Sequence, residues 1–321
     1  MKVAVIGGAG FIGSSLVHDL IDERRCDSVL VIDDLSTGSL ANLPEDNGDV
    51  VFEFCLFDVA RESASDLAGL LQGCSVVFHL AANASVMDGV ADPESMFVDN
   101  AVGTSNVVLA CAEAKVQKIV YSSTCAVYEE KARMAETDAP KPANQYGLTK
   151  LLGEQIVCSA PKVHGIDTVA LRYFNVYGPN QPERGAYTSV VQAFRRQAMK
   201  GKEHDLWVYG DGKQTRDFVH VSDVVAANVY FAFSFKPRSC TSKPVSGLVY
   251  NVGTGRRSTV NEIAALVLNA YDVKNEIVYK PSREGEIAHA GACVLRTAAA
   301  GFVSKVKLED GIADLAERDG R

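Results

Sequence analysis

Val3-Ala4-Val5-Ile6-Gly7-Gly8-Ala9-Gly10-Phe11-Ile12-Gly13 stands near the start of the chain, and Asp33 follows twenty residues after its last glycine. The apolar run at 3–6 reads as a strand. Glycines at 7, 10 and 13 suit a tight turn whose backbone approaches a pyrophosphate, with the unpaired N–H groups of a following helix facing the anion. A carboxylate at the end of the second strand accepts hydrogen bonds from an adenosine ribose diol and repels a ribose phosphate, which favours NAD over NADP. No Lys-Ser/Thr pair follows the glycines, which argues against an NTPase.

Working outward, residues 29–32, 50–57, 76–80, 119–122 and 168–172 form further short runs, nearly continuous in apolar residues, as strands buried on both faces do. Helical patterns lie between them at 11–25, 62–72, 93–114 and 146–160. This alternation implies right-handed crossovers and an α/β fold with a doubly wound, Rossmann-type parallel sheet. After about Asn175 the rhythm changes, with Gly178-Pro179, Pro182 and Gly185 as punctuation. A helix is expected at 188–200, a strand at Leu206–Tyr209, and a helix capped by Ser222 or Asp223. Residues 236–246 read as an exposed loop. The expected division is an NAD-binding domain at 1–174 and a smaller C-terminal α/β substrate-binding lobe at 175–321, with segments crossing back to the first domain.

Composition narrows the function. The 321 residues are 47% hydrophobic and 22% charged, enough apolar surface for a core. The formal net charge of −8 argues against broad binding to nucleic acid or acidic lipid. No apolar run reaches the length of a membrane-spanning helix. The eight cysteines are scattered, with no CxxC pair and no zinc spacing, so a reduced, cytoplasmic setting and no metal site are expected.

Tyr146 and Lys150 lie four apart in a helical stretch and so share a face. An ammonium beside a phenol stabilises the phenolate, and an oxidised nicotinamide adds a second positive charge; together they would make Tyr146 a base near neutral pH. The fifth strand runs out in Ser122-Ser123-Thr124-Cys125-Ala126-Val127-Tyr128. Ligands of open α/β sheets sit beyond the carboxyl ends of strands, where Thr124 would meet a substrate hydroxyl. Ser122 or Ser123 would serve equally well as a strand-end cap.

With these residues in order the chain resembles the extended short-chain dehydrogenase/reductases of the nucleotide-sugar epimerase/dehydratase type. Also in that family's order are His79-Leu80-Ala81-Ala82, Asn100 with Gly103-Thr104, Arg172 to Pro179, and Gly210-Asp211-Gly212 with Arg216-Asp217-Phe218. The resemblance implies an NAD pocket made of Gly7, Gly10, Phe11, Ile12, Asp33, Asp34, Ser36, Thr37, Gly38, Leu80, Ala81, Ala82, Asn100, Ser122, Tyr146, Lys150, Tyr173 and Val176, with Asp58 and Val59 beside the adenine. It implies a nucleotide-sugar substrate held by Ser85, Thr124, Asn175, Ser189, Val190, Tyr209, Arg216, Arg283, Glu286 and Ala290. Tyr209 would face the uracil, and Asn175, Arg216 and Arg283 the diphosphate. A homodimer is expected on the same ground.

Family dehydratases and decarboxylases commonly follow the Thr with acidic residues; here Cys125 and Ala126 stand in those places. Loss of water needs an acid and a base beyond Tyr146. A 4-epimerase needs only Thr124, Tyr146, Lys150 and NAD. A dehydratase using Cys125 as acid, a nucleotide-sugar reductase and a cofactor sensor without turnover are the alternatives. The segment Gly185 to Val191 resembles epimerases of N-acetylated UDP-hexoses. Ala290 falls where a large aromatic residue would narrow the space beside the sugar's C2 substituent. Glu129 in place of a usual glycine, Cys293 in place of a common Asp, and a shortened 298–302 ending are departures from the family pattern.

Overall fold

The computed structural model describes residues 1–45, 48, 50–129, 131–182, 189–200, 205–236, 248–282 and 289–320. Its centre is a parallel sheet of seven strands: β1 (Lys2–Ile6), β2 (Ser28–Asp33), β3 (Val51–Leu56), β4 (Cys74–His79), β5 (Lys118–Thr124), β6 (Asp167–Tyr173) and, much later in the chain, β11 (Leu248–Val252). Their order is β11-β6-β5-β4-β1-β2-β3. The strand order reverses at β1, so a crevice opens between the carboxyl ends of β1 and β4, the place where open α/β sheets hold ligands.

Strict alternation divides the core. Val3, Val5, Val29 and Val31 face one side with Leu16, Leu20, Val224 and Phe231. Ala4, Ile6, Leu30 and Ile32 face the other with Leu67, Val107, Cys111 and Val157. The first layer is α1 (Phe11–Asp22) and α8 (Val221–Val229); the second is α2 (Ala64–Leu70), α5 (Gly103–Glu113) and α6 (Gln145–Val163). Two faces buried under helices explain why β1, β2, β4, β5 and β6 read as unbroken apolar runs, whereas β3, at the edge, alternates with exposed Val51, Glu53 and Leu56.

Two expectations needed correction. The helix foreseen at 93–114 is three pieces: α4 (Pro93–Phe97), a π-helical turn at Val98–Val102, and α5, with the short α3 (Val86–Ala91) before them. The widened turn carries Asn100, whose buried amide is tied to neighbouring segments. Helix α8 begins at Val221, and its cap is His220, whose Nδ1 accepts from the Ser222 N–H at 3.3 Å. Ser222 and Asp223 do not cap because both side chains are engaged elsewhere. The Ser222 hydroxyl lies 2.8 Å from His220 Nδ1, and the Asp223 carboxylate accepts the N–H groups of Lys305 and Val306, both at 2.9 Å.

The smaller lobe is built from strand pairs: β7 (Asn175–Tyr177) with β10 (Phe218–His220), β8 (Leu206–Tyr209) with β13 (Ile277–Lys280), and β9 (Thr215–Arg216) with β12 (Ser258–Thr259). Helices α7 (Val190–Met199), α9 (Val260–Ala270) and α11 (Leu308–Arg318) close a core of Phe194, Val208, Ile263, Val267, Ile312 and Leu315. Helix α10 (Leu295–Ala299) lies between α9 and α11 in the chain. Among the described residues no helix is long and apolar enough to cross a membrane. Most of the loop foreseen at 236–246 lies outside the described residues.

Candidate functional site

The glycine turn explains itself in part. Gly7 has φ +81°, and a Cβ there would come within 2.4 Å of the Ala81 nitrogen. A Cβ on Gly13 would lie 2.0 Å from the Gly7 carbonyl oxygen. Both glycines are demanded by the protein's own backbone. Gly10 differs: its Cβ would meet only the Gly7 oxygen, at an ordinary 3.5 Å. Gly10 is the N-cap of α1 and supplies no side-chain cap, so the first-turn N–H groups of the helix have no capping side chain. At the end of β2, Asp33 is buried and accepts one backbone N–H on each oxygen, Ala9 at 2.9 Å and Leu35 at 2.8 Å. Burial pushes its carboxyl up, against the pull of those two donors. A carboxylate offers about four acceptor positions, so two remain. Asp34 accepts the N–H and hydroxyl of Ser36; a Cβ on Gly38 would lie 2.9 Å from Asp33 Oδ1, so the turn that includes Thr37 packs directly on Asp33.

Across the crevice, Leu80 and Ala81 both donate their N–H groups to the Ile6 carbonyl, which holds residues 80–82 beside the glycine turn. Asn100 exchanges two hydrogen bonds with the Asn83 backbone and donates to the Thr149 hydroxyl at 3.0 Å. It therefore clamps this loop to α6. Asp58 accepts from Ala60, Arg61 and the Arg61 guanidinium, and the Val59 carbonyl from Asn106. Tyr173 is buried with its hydroxyl on Asn228, and Val176 packs against the first core layer. Ser85 caps α3.

Tyr146 and Lys150 rise from the first turns of α6, which Asn144 caps through the Gly147 N–H at 2.8 Å. A Cβ on Gly147 would lie 2.2 Å from the Ala126 carbonyl oxygen, so glycine lets the helix start abut the end of β5, where Thr124 caps the turn Cys125–Val127. Lys150 is only 2% exposed, and its Nζ stands 4.4 Å from the Tyr121 ring centroid. Burial pushes Lys150 down to about 7, while Glu154 one turn on pulls the other way. Nearby His79 is held neutral, pushed down to about 3 by burial and by the Lys150 charge. Burial pushes the Cys125 thiol up to about 12.

Among the residues expected to hold substrate, Asn175 donates through Nδ2 to the Asp217 carbonyl at 2.9 Å. Arg216 lies close enough to Cys125 for its charge to act on the thiol. Tyr209 ends β8, and its carbonyl accepts from Gln214. Ser189 caps α7, with Val190 on the edge of the small lobe's core. Ala290 is buried among Val127, Tyr128, Met134, Phe174 and Ala292, with Cys125 against the same cluster. Arg283, Glu286 and the Gly185–Thr188 portion of the 185–191 segment fall outside the described residues.

The sequence profile of the NAD dependent epimerase/dehydratase family matches residues 3–253. The chain belongs to that family. It is 31% identical to a putative UDP-glucose 4-epimerase of Methanocaldococcus jannaschii over 97% of this chain and 95% of that one. Among solved structures it is similar to the UDP-N-acetylglucosamine 4-epimerase of Methanobrevibacter ruminantium in complex with UDP-N-acetylmuramic acid (31% identity, TM-score 0.88, 98% and 97% coverage). It is likewise similar to the Thermus thermophilus UDP-glucose 4-epimerase in complex with NAD (33% identity, TM-score 0.85, 99% and 98% coverage).

This family member is an NAD-dependent enzyme, and the crevice fits the cofactor. The open space over Gly10, the uncapped start of α1 and the two spare acceptor positions of Asp33 suit a diphosphate and an unphosphorylated ribose.

Sequence reasoning passed over Glu154, Tyr121, Asp217 and Asn251. Glu154 had a signal, since it continues the spacing of Tyr146 and Lys150 by four. Asp217, which accepts from Thr254, Gly255 and Ala292, stood in the Arg216-Asp217-Phe218 run but was given no role; Asn251, which donates to the Met134 and Cys293 carbonyls, acts across a long sequence distance and had no signal.

Proposed function

We propose that this enzyme epimerises a UDP-hexose at C4, with UDP-glucose/UDP-galactose or their N-acetylated counterparts as the substrate pair. The observation that carries the reading is the meeting of Tyr146, buried Lys150 and the Thr124 turn at the carboxyl end of β5, with no acidic residue at 125 or 126. NAD, held by the glycine turn and Asp33, would supply a hydride acceptor and donor for C4. Tyr146 accepts the proton of the C4 hydroxyl as that hydride leaves and gives it back when the alcohol re-forms. Lys150, held where its charge is easily gained or lost, favours the phenolate while it is an ammonium. Thr124 orients the sugar hydroxyl. A dehydratase would need a further acid; the Cys125 thiol, pushed up to about 12, holds its proton too tightly for that part.

Phe97, Leu109 and Leu148, on α4, α5 and α6, are 41–48% exposed and support self-association as a dimer. Seven free cysteines among the described residues support a reducing, cytoplasmic setting. Purified protein incubated with each nucleotide sugar should yield an isomer of unchanged mass, with no net change in NAD. A product lighter by one water, or turnover that consumes reduced cofactor, would overturn the reading.

A further inference from the structure

Lys150 is followed one turn later by a second buried charge. Glu154 and Arg172 form an ion pair with both side chains about 5% exposed or less. Arg172 donates through Nε at 2.9 Å and Nη2 at 2.5 Å, and Ser123 donates its hydroxyl to the same carboxylate at 2.7 Å. The guanidinium also lies 4.5 Å over the Tyr128 ring, and the Tyr128 hydroxyl reaches Asn251 at 2.7 Å. Arg172 Nη1 is buried without a partner among the described residues.

A buried pair of this kind is poor value as a source of stability. Desolvation offsets much of the attraction, and an apolar pair of similar volume often does as well or better. The orphaned Nη1 makes this one poorer still. What such a pair gives is fixed relative position, and its three members sit where position matters. Ser123 directly precedes Thr124 on β5, Arg172 directly precedes Tyr173 on β6, and Glu154 lies one helical turn from Lys150 on α6. We infer that Ser123, Glu154 and Arg172 form a positioning brace that sets Thr124, Lys150 and Tyr173 relative to one another, and that Glu154 also supplies the negative charge that keeps Lys150 an ammonium. The inference rests on the catalytic reading of Thr124, Tyr146 and Lys150 given above.

The charged and titratable groups around Lys150 are His79 on β4, Tyr121 on β5, and Tyr146 and Glu154 on α6; Cys158, Arg172 and Tyr128 face Glu154 and its pair. His79 is neutral in the working pH range. Burial raises Tyr121, Tyr128 and Cys158 well above neutrality, so they too are uncharged there. Arg172 is positive and spends its charge on Glu154. Loss of the Glu154 charge therefore moves the Lys150 titration to lower pH.

The test uses the double variant Glu154→Leu/Arg172→Met, which replaces the ion pair by an apolar one, together with Glu154→Gln and Ser123→Ala. Lys150 is followed through the 13Cε signal of lysine-labelled protein, assigned by its loss in Lys150→Met. In Glu154→Gln its midpoint should fall by about half a unit to one unit, whereas the double variant, which removes one charge of each sign, should shift it less. For the double variant, kcat should drop about 10-fold to 100-fold, KM should stay within about 3-fold, and the melting temperature should match or exceed that of the parent. Ser123→Ala, which leaves the ion pair in place, should lower kcat about 3-fold to 10-fold without loss of fold. It decides the matter if the double variant does not fold. A well-folded double variant, or Ser123→Ala, with parental kcat, or Glu154→Gln with a parental Lys150 midpoint, would overturn the brace. The Lys150 titration needs no substrate, so it reads the brace even if UDP-hexoses are not turned over, an outcome that would count against the proposed function alone.

Discussion

The crevice beside β1 and the smaller lobe hold their parts by different means. In the crevice, position comes from regular structure. β1 pairs residue for residue with β2 and, after a register shift between Lys2 and Val3, with β4; Gly7 and Gly13 let backbone touch backbone, and Asp33 is seated by N–H groups from adjacent turns. In the lobe, paired strands are only two to four residues long where they are described, and isolated side chains hold the segments together. Asp217 gathers Thr254, Gly255 and Ala292 there, while Asn251 on β11 and Asp223 on α8 tie the sheet and its helices to Met134 and Cys293 and to Lys305 and Val306. A scaffold of the first kind tolerates change in most side chains but not in its glycines. One of the second kind depends on a few buried polar residues.

The largest expected effect separates chemistry from scaffold in the first region. Tyr146→Phe keeps the ring and the packing of α6 but removes the oxygen proposed to take the proton. kcat should fall about 100-fold to 10,000-fold, the scale for loss of a general base. The NAD released on denaturation and the melting temperature should stay near those of the parent, because the glycine turn and Asp33 are untouched. Near-parental turnover would mean that another group takes the proton.

Next is the clamp of the second region. Asp217 is fully buried and accepts from Thr254 N–H at 2.9 Å, Thr254 Oγ1 at 2.7 Å, Gly255 N–H at 2.8 Å and Ala292 N–H at 3.3 Å. Asp217→Ala strands several donors, each worth about 1–3 kcal/mol if it stays dry. A loss of about 3 kcal/mol should lower the melting temperature by several degrees. Affinity for UDP, measured by calorimetry, should fall with it, while NAD retention holds. Equal loss of NAD and UDP binding would show that the two regions are not independently braced.

The same contrast governs what could be read before the fold was known. Buried parallel strands advertise themselves as apolar runs, and a turn that forbids Cβ atoms advertises itself as glycine, so the sheet, the cofactor crevice and the spacing of Tyr146 and Lys150 were legible. The β9–β12 pairing and the Asp217 clamp join residues tens of positions apart, the first through a two-residue backbone ladder and the second through one side chain, and no local periodicity marks either. The cap of α8 was misread for the same reason: Ser222 and Asp223 have the composition of caps, but one is drawn to His220 and the other to residues 305 and 306. The π turn at Val98–Val102 was missed because it has the same helical pattern as its neighbours, and only the Asn100 clamp distinguishes it.

The smallest effect tests whether the lobe's buried side chains also choose the substrate. Ala290 is 4% exposed, and its N–H donates to the Thr215 carbonyl at 2.9 Å, next to Arg216. Its methyl packs in the cluster that Cys125 borders, one residue beyond Thr124. A side chain enlarged at 290 therefore has two directions to press: into Tyr128 and Phe174, or toward the end of β5, where the sugar would lie. Overpacking costs about 1–3 kcal/mol. In Ala290→Tyr, a push toward β5 should penalise an N-acetyl group more than a hydroxyl at C2. The ratio of kcat/KM for UDP-N-acetylglucosamine over UDP-glucose should then fall by about 5-fold to 150-fold on that energy scale. A push into the cluster would instead lower the melting temperature and leave the ratio unchanged. Ala290 would then be a core residue of the lobe, like its neighbour Ala292, and the preference for N-acetylated substrates would lose its support.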